Sequence, residues 1–482
     1  MENNNKYEAV IGLEVHAQLL TNTKAYSSDE NIYGAIPNTK TSAITLGHPG
    51  TLPVSNKKVI EYAVKLGIAV GAEIRKVNRY ARKNYFYADL PKGYQITQDD
   101  TPICNGGFIE IPCKKNKTRK INITRIHMEE DAGKSIHDLD PFNTLIDLNR
   151  AGVPLLEIVS EPEIKSGEEA FDYIMEVRKL VRHLGICDGN MEEGSLRCDA
   201  NISVMIKGAK TFGTKVEVKN MNSSRNVRNA IDFEIKRQID IIEKGGSIVH
   251  ETRGFDASKG VTLSQRHKEE ANDYRYFPEP DLQPIEITTE YISKVKENMP
   301  LLPKELFVTY TEQYKLSDYD ASLIIEDKNI ASYFNQLCKL TNNYKAAANF
   351  INGVIKSHLN EKALNITELN IKPVEISDLI RLIDDKKISN SVATSKIFPI
   401  LLNSNQTAEM IAIENNWIQE SDDKVLKELI KDVLAKFPQK VEEYRNGKKG
   451  LIGMFMGEVM KLSKGKADPK ITNILLRDQL EI

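Results

Sequence analysis

The sequence is poor in cysteine and has no long apolar run. None of its five cysteines has the CxxC spacing: Cys104, Cys113, Cys187, Cys198 and Cys338. This odd, unpatterned set argues against a disulfide scaffold and favours a reducing compartment. The N-terminus is polar and no stretch of about 18 apolar residues occurs, so we expect neither a signal peptide nor a membrane span. We therefore expect a cytoplasmic protein.

The common nucleotide-binding and hydrolase motifs are also missing. There is no GxxxxGK(S/T) and no GxGxxG, so the usual phosphate loops are absent, and Gly133-Lys134-Ser135 resembles only the end of one. No HExxH or cysteine cluster indicates zinc. Without a GxSxG elbow, a serine hydrolase is not indicated either.

Acidic and basic residues nearly balance. The 66 Lys and Arg against 68 Asp and Glu give a net charge of −2, which does not decide whether nucleic acid is a partner. The length of 482 residues suggests about three domains. From about residue 290 the pattern is almost entirely helical, and a second break lies at 401–406. We predict domains at 1–292, 293–404 and 405–482.

The stretch from Arg125 to Lys134, RIHMEEDAGK, concentrates charged groups. Three consecutive acids, Glu129, Glu130 and Asp131, follow a histidine. Adjacent carboxylates repel one another unless positive charge lies between them. A divalent metal with a phosphate-bearing ligand would supply that charge.

Two other predicted strands carry acids that could join such a site. Residues 7–20 alternate as a strand, which places Glu14 and His16 on one face. Glu157 interrupts an otherwise apolar strand at 154–162, where a carboxylate is costly unless it is paired or metal-bound. A solvent-facing edge for the first strand and a plain salt bridge for Glu157 are equal alternatives.

Two later strands have continuous polar faces. They carry Arg197, Asp199, Asn201 and Ser203 on one strand, and Lys215, Glu217 and Lys219 on the other. Such faces suggest a wet cavity, although ordinary exposed sheet faces fit equally well.

The segment from Arg82 to Gln95 mixes bases, aromatics and amides with Pro91 and Gly93. We expect a loop that presents Arg82, Lys83 and aromatic faces to phosphate, ribose or base, with a packed aromatic loop as the alternative. Carboxylates suit magnesium, and basic groups could neutralise phosphate. From the residues alone, metal-assisted phosphoryl transfer is no more than a candidate reaction.

The tail from Lys436 to Ile482 is basic, with ten Lys and Arg against six Asp and Glu. Glycines and methionines precede Lys461, Lys464 and Lys466, and a small-residue helix ridge can approach a phosphate backbone closely. Tight helix packing with solvated lysines is an equal alternative.

Together, five motifs resemble the GatB family of aspartyl/glutamyl-tRNA amidotransferases. The motifs are Ile11–His16, Arg82–Tyr87, His127–Lys134, Glu192–Asn201 and Asp273–Asp281. The resemblance runs in order from about residue 7 to the C-terminus. It implies an α+β fold, in which a mainly antiparallel-sheet cradle with flanking helices is followed by an all-helical domain and a helical YqeY-like tail that binds tRNA.

The resemblance also implies the reaction and the partners. In such a heterotrimer an amidase, GatA, frees ammonia from glutamine, and a small GatC completes the complex. The GatB subunit uses ATP and magnesium to phosphorylate the side-chain carboxylate of Glu-tRNA(Gln) or Asp-tRNA(Asn). Ammonia then displaces the phosphate. The sequence does not tell which of the two misacylated tRNAs is the substrate.

Carried over by motif, the implied metal ligands are Glu14, His16, Glu130 and Glu157, with Glu129 as a close alternative. We also predict that Lys83 and Arg197 join Glu14, His16 and Glu130 as catalytic residues, that Arg82, Lys134, Lys215 and Lys219 bind ATP, and that Lys461, Lys464 and Lys466 bind tRNA. Many family members have CPxC where this chain has Ser42-Ala-Ile-Thr45, so we predict no structural zinc.

Overall fold

A computed structural model describes residues 6–113, 117–137, 139–267, 274–404, 406–418, 423–463 and 467–481. The chain divides into two compact units, one ending at Pro303 and the other beginning at Lys304. Lys464 and Lys466, two of the predicted tRNA-binding residues, lie outside the described residues. No helix within the described ranges is both long and apolar enough to cross a membrane.

The first unit combines strands with a few helices. Its strands are β1 (Tyr7–Gln18), β2 (Glu73–Ile74), β3 (Val77–Asn78), β4 (Ala81–Asn84), β5 (Tyr94–Thr97), β6 (Cys104–Asn105), β7 (Phe108–Cys113), β8 (Lys117–Glu130), β9 (Lys134–Ile136), β10 (Leu145–Asp147), β11 (Pro154–Ser160), β12 (Leu196–Ile206), β13 (Val216–Lys219), β14 (Glu251–Asp256), β15 (Val261–His267), β16 (Phe277–Pro278) and β17 (Ile285–Glu286). Its helices are α1 (Lys57–Val70), α2 (Gly167–Leu184), α3 (Ser224–Glu243) and α4 (Thr289–Glu297).

One large sheet organises this unit. The described strands run in the order β15-β14-β13-β12-β1-β11-β8-β6-β2, and β7 pairs with β8 as the tenth strand. Among these described strands only β13 and β14 pair in parallel. The mixed α and β composition and the mainly antiparallel pairing agree with the predicted fold class.

The two faces of the central strands differ in polarity. On β1, Leu13, Val15 and Ala17 are fully buried, and they join one apolar cluster with α1, α2 and α3. A fully buried Leu or Val contributes roughly 1.5–3 kcal/mol. A one-residue slip of β1 would exchange its two faces, so the alternation fixes its register. Glu14 and His16 consequently lie on the opposite face of the sheet.

One expectation about local structure is corrected. The segment from Arg82 to Gln95 is not simply a loop, because its ends form β4 and β5, with Lys83 opposite Gln95. Pro91 and Gly93 belong to the turn between them. Further along the chain, β7 and β8 form a hairpin, and β8 continues to Glu130. The three acids therefore begin inside a strand.

The second unit is helical. Its α-helices are α5 (Pro303–Val308), α6 (Asp318–Ile325), α7 (Lys328–Cys338), α8 (Tyr344–Phe350), α9 (Lys356–Lys362), α10 (Pro373–Asp384), α11 (Asn390–Val392), α12 (Phe398–Leu401), α13 (Ala408–Glu414), α14 (Asp423–Lys436), α15 (Pro438–Arg445), α16 (Ile452–Leu462) and α17 (Pro469–Glu481). Short π-helical turns occupy Thr309–Gln313, Ile351–Ile355 and Ala393–Ile397, and 3-10 turns occupy Ile366–Glu368 and Lys449–Leu451.

The buried residues of the second unit form two clusters. One extends from Leu306 to Ala412 and the other from Leu426 to Leu480. The predicted boundary at residue 292 falls inside α4, whose Val295 packs into the core of the first unit. The predicted boundary at 404 falls before α13, whose Ala408 still packs with the first of the two clusters. The three-domain division stays a prediction.

Candidate metal site

The face of the sheet opposite the apolar core is polar across five neighbouring strands. Strand pairing places His16 directly opposite Glu157 on β11 and Arg197 on β12, and Glu157 opposite His127 on β8. We call this surface the polar face; it comprises Glu14 and His16 from β1, His127 and Glu129 from β8, Glu157 from β11, Arg197 and Asp199 from β12, and Glu217 and Lys219 from β13.

Four side chains at the centre of the polar face are in contact. His16 Nε2 lies 3.3 Å from Glu157 Oε2, and His127 Nε2 lies 3.3 Å from the same oxygen. His127 Nε2 is also 3.2 Å from Glu129 Oε1. All four side chains are largely screened from solvent.

Opposite charges determine how these groups titrate. Burial alone would raise the pKa of Glu157, but the imidazoles of His127 and His16 hold it well below its usual value. His127 and Lys83 likewise lower the pKa of Glu129 against burial. Burial would lower the pKa of His127, yet Glu157 and Glu129 raise it to about 9. Both carboxylates are therefore ionised at neutral pH and can act as ligands.

Neighbouring polar groups fix the orientation of Glu129. Thr97 Oγ1 donates to Glu129 Oε1 at 2.6 Å, and Gln95 Nε2 donates to Glu129 Oε2 at 3.2 Å. Both donors come from β5, the second strand of the hairpin that follows the first helix. A ligand side chain that is already held in position loses less conformational entropy when an ion binds. The groups that hydrogen-bond to it also tune its affinity for the metal.

The residues fit a divalent cation. Ligand atoms of His16, Glu129 and Glu157 all lie within 4.8 Å of one another, and we call these three residues the metal triad. The two carboxylates of the triad suit Mg²⁺ or Mn²⁺. In addition, His127 Nδ1 is buried and has no hydrogen-bond partner among the residues that the structure describes. Buried polar atoms normally have a partner, so this nitrogen marks a place for water or ligand.

The structure separates Glu130 from the triad. Glu130 follows Glu129 in the same strand, so its side chain points to the other face, where it pairs with Lys92. The backbone N–H of Ile96 also donates to Glu130 Oε1 at 2.8 Å. Of the two acids considered for the metal, the geometry brings Glu129 and not Glu130 to His16 and Glu157.

Glu14 belongs to a second acidic group on the polar face. Ligand atoms of Glu14, Asp199 and Glu217 lie within 4.8 Å of one another. Lys219 pairs with Asp199 and lies 3.1 Å from Glu217, and these two acids raise its pKa against burial. Asn201 Nδ2 donates to Glu14 Oε1 at 2.8 Å. Lys219 therefore offsets part of the negative charge of this group, through its pairs with Asp199 and Glu217.

Lys83 and Arg197 flank the triad. Lys83 Nζ lies 5.0 Å from the ring centre of Tyr274, and Glu129 and Glu157 hold its pKa above the usual value despite burial. Arg197 donates to Asp131 at 2.8 Å. These two cations border the metal triad.

The remaining predicted residues are more scattered. Arg82 forms two hydrogen bonds with Glu279, at 2.7 and 2.9 Å, and pairs with Asp281, so its guanidinium is already engaged by acids. Lys134 is exposed at the start of β9, and Lys215 is exposed just before β13. Lys461 is exposed on α16 in the second unit. The sheet brings Lys219, but not Arg82, to the polar face.

Three residues near the triad were not predicted from the sequence: His127 and the hairpin residues Gln95 and Thr97. His127 lies two residues before Glu129, and period-two alternation places both on the same face. That signal was available in the sequence. Gln95 and Thr97 could not be found in this way, because their contact with Glu129 depends on long-range packing.

The segment where many family members carry cysteines holds hydroxyls instead. Ser42 donates to Asp29 Oδ2 through both its N–H and its Oγ, each at 2.9 Å, and Thr45 donates to the same oxygen. Ser27 Oγ lies 3.0 Å from this carboxylate. Three hydroxyls and one carboxylate that already bond to each other do not fit the sulfur and nitrogen ligands of structural zinc. The absence of zinc stays a prediction, and a metal assay of the purified chain tests it.

Comparisons with known proteins agree with this architecture. Residues 9–293 match the family model of the GatB/GatE catalytic domain, and residues 332–480 match that of the GatB domain. A protein of Thermodesulfovibrio yellowstonii is 49% identical over 471 residues, which cover 98% of each chain. One of Trichlorobacter lovleyi is 47% identical over 475 residues, covering 98% of this chain and 99% of its own. Both are named as the B subunit of aspartyl/glutamyl-tRNA(Asn/Gln) amidotransferase. This chain therefore belongs to the GatB family of tRNA amidotransferases.

Proposed function

We propose that this chain is the component of a glutamine-dependent tRNA amidotransferase that activates the substrate carboxylate. The substrate is the side chain of Glu-tRNA(Gln), of Asp-tRNA(Asn) or of both. Full-length similarity to named GatB proteins supports the pathway. The metal triad on a polar sheet face is the observation that supports a catalytic rather than a purely scaffolding role.

The proposed chemistry has two steps. A side-chain carboxylate is a poor acyl donor, so its oxygen first attacks the γ-phosphorus of ATP, and the bond from that phosphorus to the bridging oxygen of ADP breaks. Ammonia nitrogen then attacks the acyl carbon, inorganic phosphate leaves, and the nitrogen loses a proton. The products are the amide, ADP and phosphate.

The polar face supplies charge for the first step. A Mg²⁺ ion held by His16, Glu129 and Glu157 would neutralise phosphate charge when bound. Lys83 and Arg197 border the same surface and can pair with phosphate oxygens. Positioning is most of what a protein contributes to phosphoryl transfer, and the bonds from Thr97 and Gln95 hold Glu129 in place for it.

The names of the relatives support the partners we propose. The relatives are named as a B subunit, which implies that the enzyme has further subunits. We propose that these are GatA, an amidase that frees ammonia from glutamine, and GatC, a small protein. Misacylated tRNA is the proposed macromolecular substrate. Its body would contact the helical second unit, where Lys461 is exposed.

A transamidation assay of the reconstituted trimer tests the proposal. The purified chain, the amidase and GatC receive ATP, glutamine and either Glu-tRNA(Gln) or Asp-tRNA(Asn), and the amide is measured. Ammonium chloride replaces glutamine in a second series, and hydroxylamine traps the activated carboxylate. We expect His16→Ala and Glu157→Gln to abolish hydroxamate formation while glutamine hydrolysis by the amidase persists.

Glu8→Gln is the matched control, because Glu8 is an acid on the same strand as His16 and eight residues away. It should transamidate like the unchanged chain. Normal hydroxamate formation by His16→Ala and Glu157→Gln would contradict the catalytic role and leave tRNA binding and scaffolding as the function of the chain.

A further inference from the structure

Two aromatic rings lie close to Lys83 beside the metal triad, because its Nζ is 5.0 Å from the ring centre of Tyr274 and 6.0 Å from that of Tyr85. Neighbouring tyrosine rings of this group meet edge to face, with centres 5.8 to 6.3 Å apart. We call these tyrosines and the exposed Phe86, which lies between two of them in sequence, the aromatic platform; it comprises Tyr85, Phe86, Tyr87, Tyr274 and Tyr276.

The platform is unusually exposed for so many aromatic side chains. Phe86 is 82% exposed and Tyr87 is 62% exposed. Scattered apolar side chains on a surface need no explanation, but contiguous ones mark interaction sites. The Phe86 ring lies close to Gly93, whose φ is +70. A Cβ at this position would lie 3.1 Å from the ring. The backbone of Gly93 thus leaves room for the ring.

Hydrogen bonds tie the platform to the metal triad. Tyr85 Oη donates to Gln95 Oε1 at 3.2 Å, and Gln95 Nε2 donates to Glu129 Oε2 at 3.2 Å. The N–H of Asn84 donates to the carbonyl of Tyr274 at 2.9 Å, which joins the two aromatic segments. One glutamine side chain therefore separates the platform from a proposed metal ligand.

We propose that the aromatic platform binds the unpaired nucleotides at the 3′ end of the aminoacyl-tRNA. The inference rests on the proposed function. The reacting carboxylate is joined to the terminal ribose through a single amino acid, so the last bases must contact the surface next to the triad. Exposed aromatic faces beside a cation are the surface on which unpaired bases stack, while Lys83 can pair with phosphate.

Kinetics of the reconstituted trimer with ammonium chloride test this assignment. Base stacking predicts that Phe86→Ala with Tyr87→Ala raises KM for Glu-tRNA(Gln) or Asp-tRNA(Asn) about 5- to 150-fold, while KM for ATP stays unchanged. Phe86→Trp and Tyr87→Phe keep a stacking face and should retain the original KM. Phe212→Ala is the matched control, since Phe212 is 63% exposed but lies in the loop beyond the far end of β12.

A binding measurement distinguishes failure of the platform from failure of the proposed function. Uncharged tRNA with 2-aminopurine as its terminal base should lose fluorescence on binding the trimer, because stacking quenches this base. The quench should persist in Phe212→Ala and vanish in the double alanine variant. It requires no catalysis, so an inactive enzyme does not affect the result.

Three results would overturn the assignment. An unchanged quench and KM in the double alanine variant would show that the bases bind elsewhere. A higher KM for ATP alone would assign the rings to adenine of the nucleotide. Loss of trimer assembly on gel filtration would make the platform a protein interface.

Discussion

Glu129 and Glu130 are adjacent in sequence but have different surroundings. Glu129 faces two histidines and Glu157, whereas Glu130 faces Lys92 and the backbone of Ile96. Strand alternation is the reason, because consecutive side chains of β8 point to opposite faces. The position of each acid in the strand therefore decides its chemistry more than its residue type does.

This difference predicts the metal affinity of two matched variants. Glu129→Gln removes a charged ligand and should weaken Mn²⁺ binding at least about 10-fold in the full chain. Glu130→Gln makes the same chemical change on the other face and should leave the affinity within about threefold. Calorimetric titration measures both. Equal losses, or a larger loss in Glu130→Gln, would disprove the assignment of Glu129.

The buried side chain of Lys24 makes the stability of the folded chain depend on pH. It is only 1% exposed, its Nζ donates to the Lys40 carbonyl at 2.7 Å, and burial lowers its pKa to about 8. An unfolded lysine has a pKa of about 10.4. Between these values the folded chain binds fewer protons than the unfolded chain, so the free energy of unfolding rises with pH.

Lys24→Met should remove this rise. The free energy of unfolding of the unchanged chain minus that of Lys24→Met should increase by on the order of 1–2 kcal/mol from pH 7.5 to pH 10. Urea denaturation at a series of pH values measures it. Lys236→Met, on the exposed side of α3, is the control. A difference that stays constant with pH would mean that Lys24 does not titrate in this range.

At the scale of elements, local patterns predicted some strands and helices well and the site only in part. The strand predicted over residues 7–20 is confirmed as β1, Tyr7–Gln18. The alternation of polar and apolar residues in β1 and the single acid in β11 also indicated the residues that lie on the polar face. The β4–β5 hairpin was missed because Pro91 and Gly93 dominate the local signal.

The assembly of the site could not be predicted from such patterns. β1 pairs with both β11 and β12, more than a hundred residues away in sequence. The β1–β11 pairing brings His16 to Glu157, and the β8–β11 pairing brings His127 to the same carboxylate. Choosing Glu129 over Glu130 needs the register of β8 against β11, which no local signal supplies.

The Asp29 hydroxyl cluster gives a prediction for the loop between β1 and α1. Asp29 accepts hydrogen bonds from Ser42, Thr45 and Ser27, which hold distant parts of the loop together. Asp29→Asn removes the charge and should lower the free energy of unfolding by about 1–3 kcal/mol. Glu30→Gln, at the neighbouring exposed position, should change it by less than about 0.5 kcal/mol.

The same cluster has a defined acid response. The hydroxyls lower the pKa of Asp29 despite partial burial, so its stabilising contribution exists at neutral pH. It begins to be lost as the pH falls through about 4, where the unfolded carboxylate becomes protonated, and the loss is complete below the lowered pKa of the folded carboxylate. Unfolding free energies of Asp29→Asn and the unchanged chain should therefore converge in acid. A constant gap from pH 7 to pH 3 would contradict this account.

At the scale of the whole molecule, the metal triad and the first hydrophobic core belong to one unit. The core cluster runs from Ala9 to Val295, inside the unit that ends at Pro303. A fragment of residues 1–303 should therefore fold cooperatively and bind Mn²⁺ as the full chain does. We expect it to lose affinity for tRNA, since the tail with Lys461 is missing. Filter binding measures the tRNA affinity, and full retention would contradict the proposed role of the tail.

We propose that His16, Glu129 and Glu157 bind a metal ion on the polar face. Anomalous X-ray diffraction from a crystal of the chain grown with Mn²⁺ would locate such an ion. We expect an anomalous peak about 2.0–2.3 Å from a nitrogen of His16 and from oxygens of Glu129 and Glu157. A fully occupied peak at Glu130, or at Glu14, Asp199 and Glu217 with none at the triad, would contradict it.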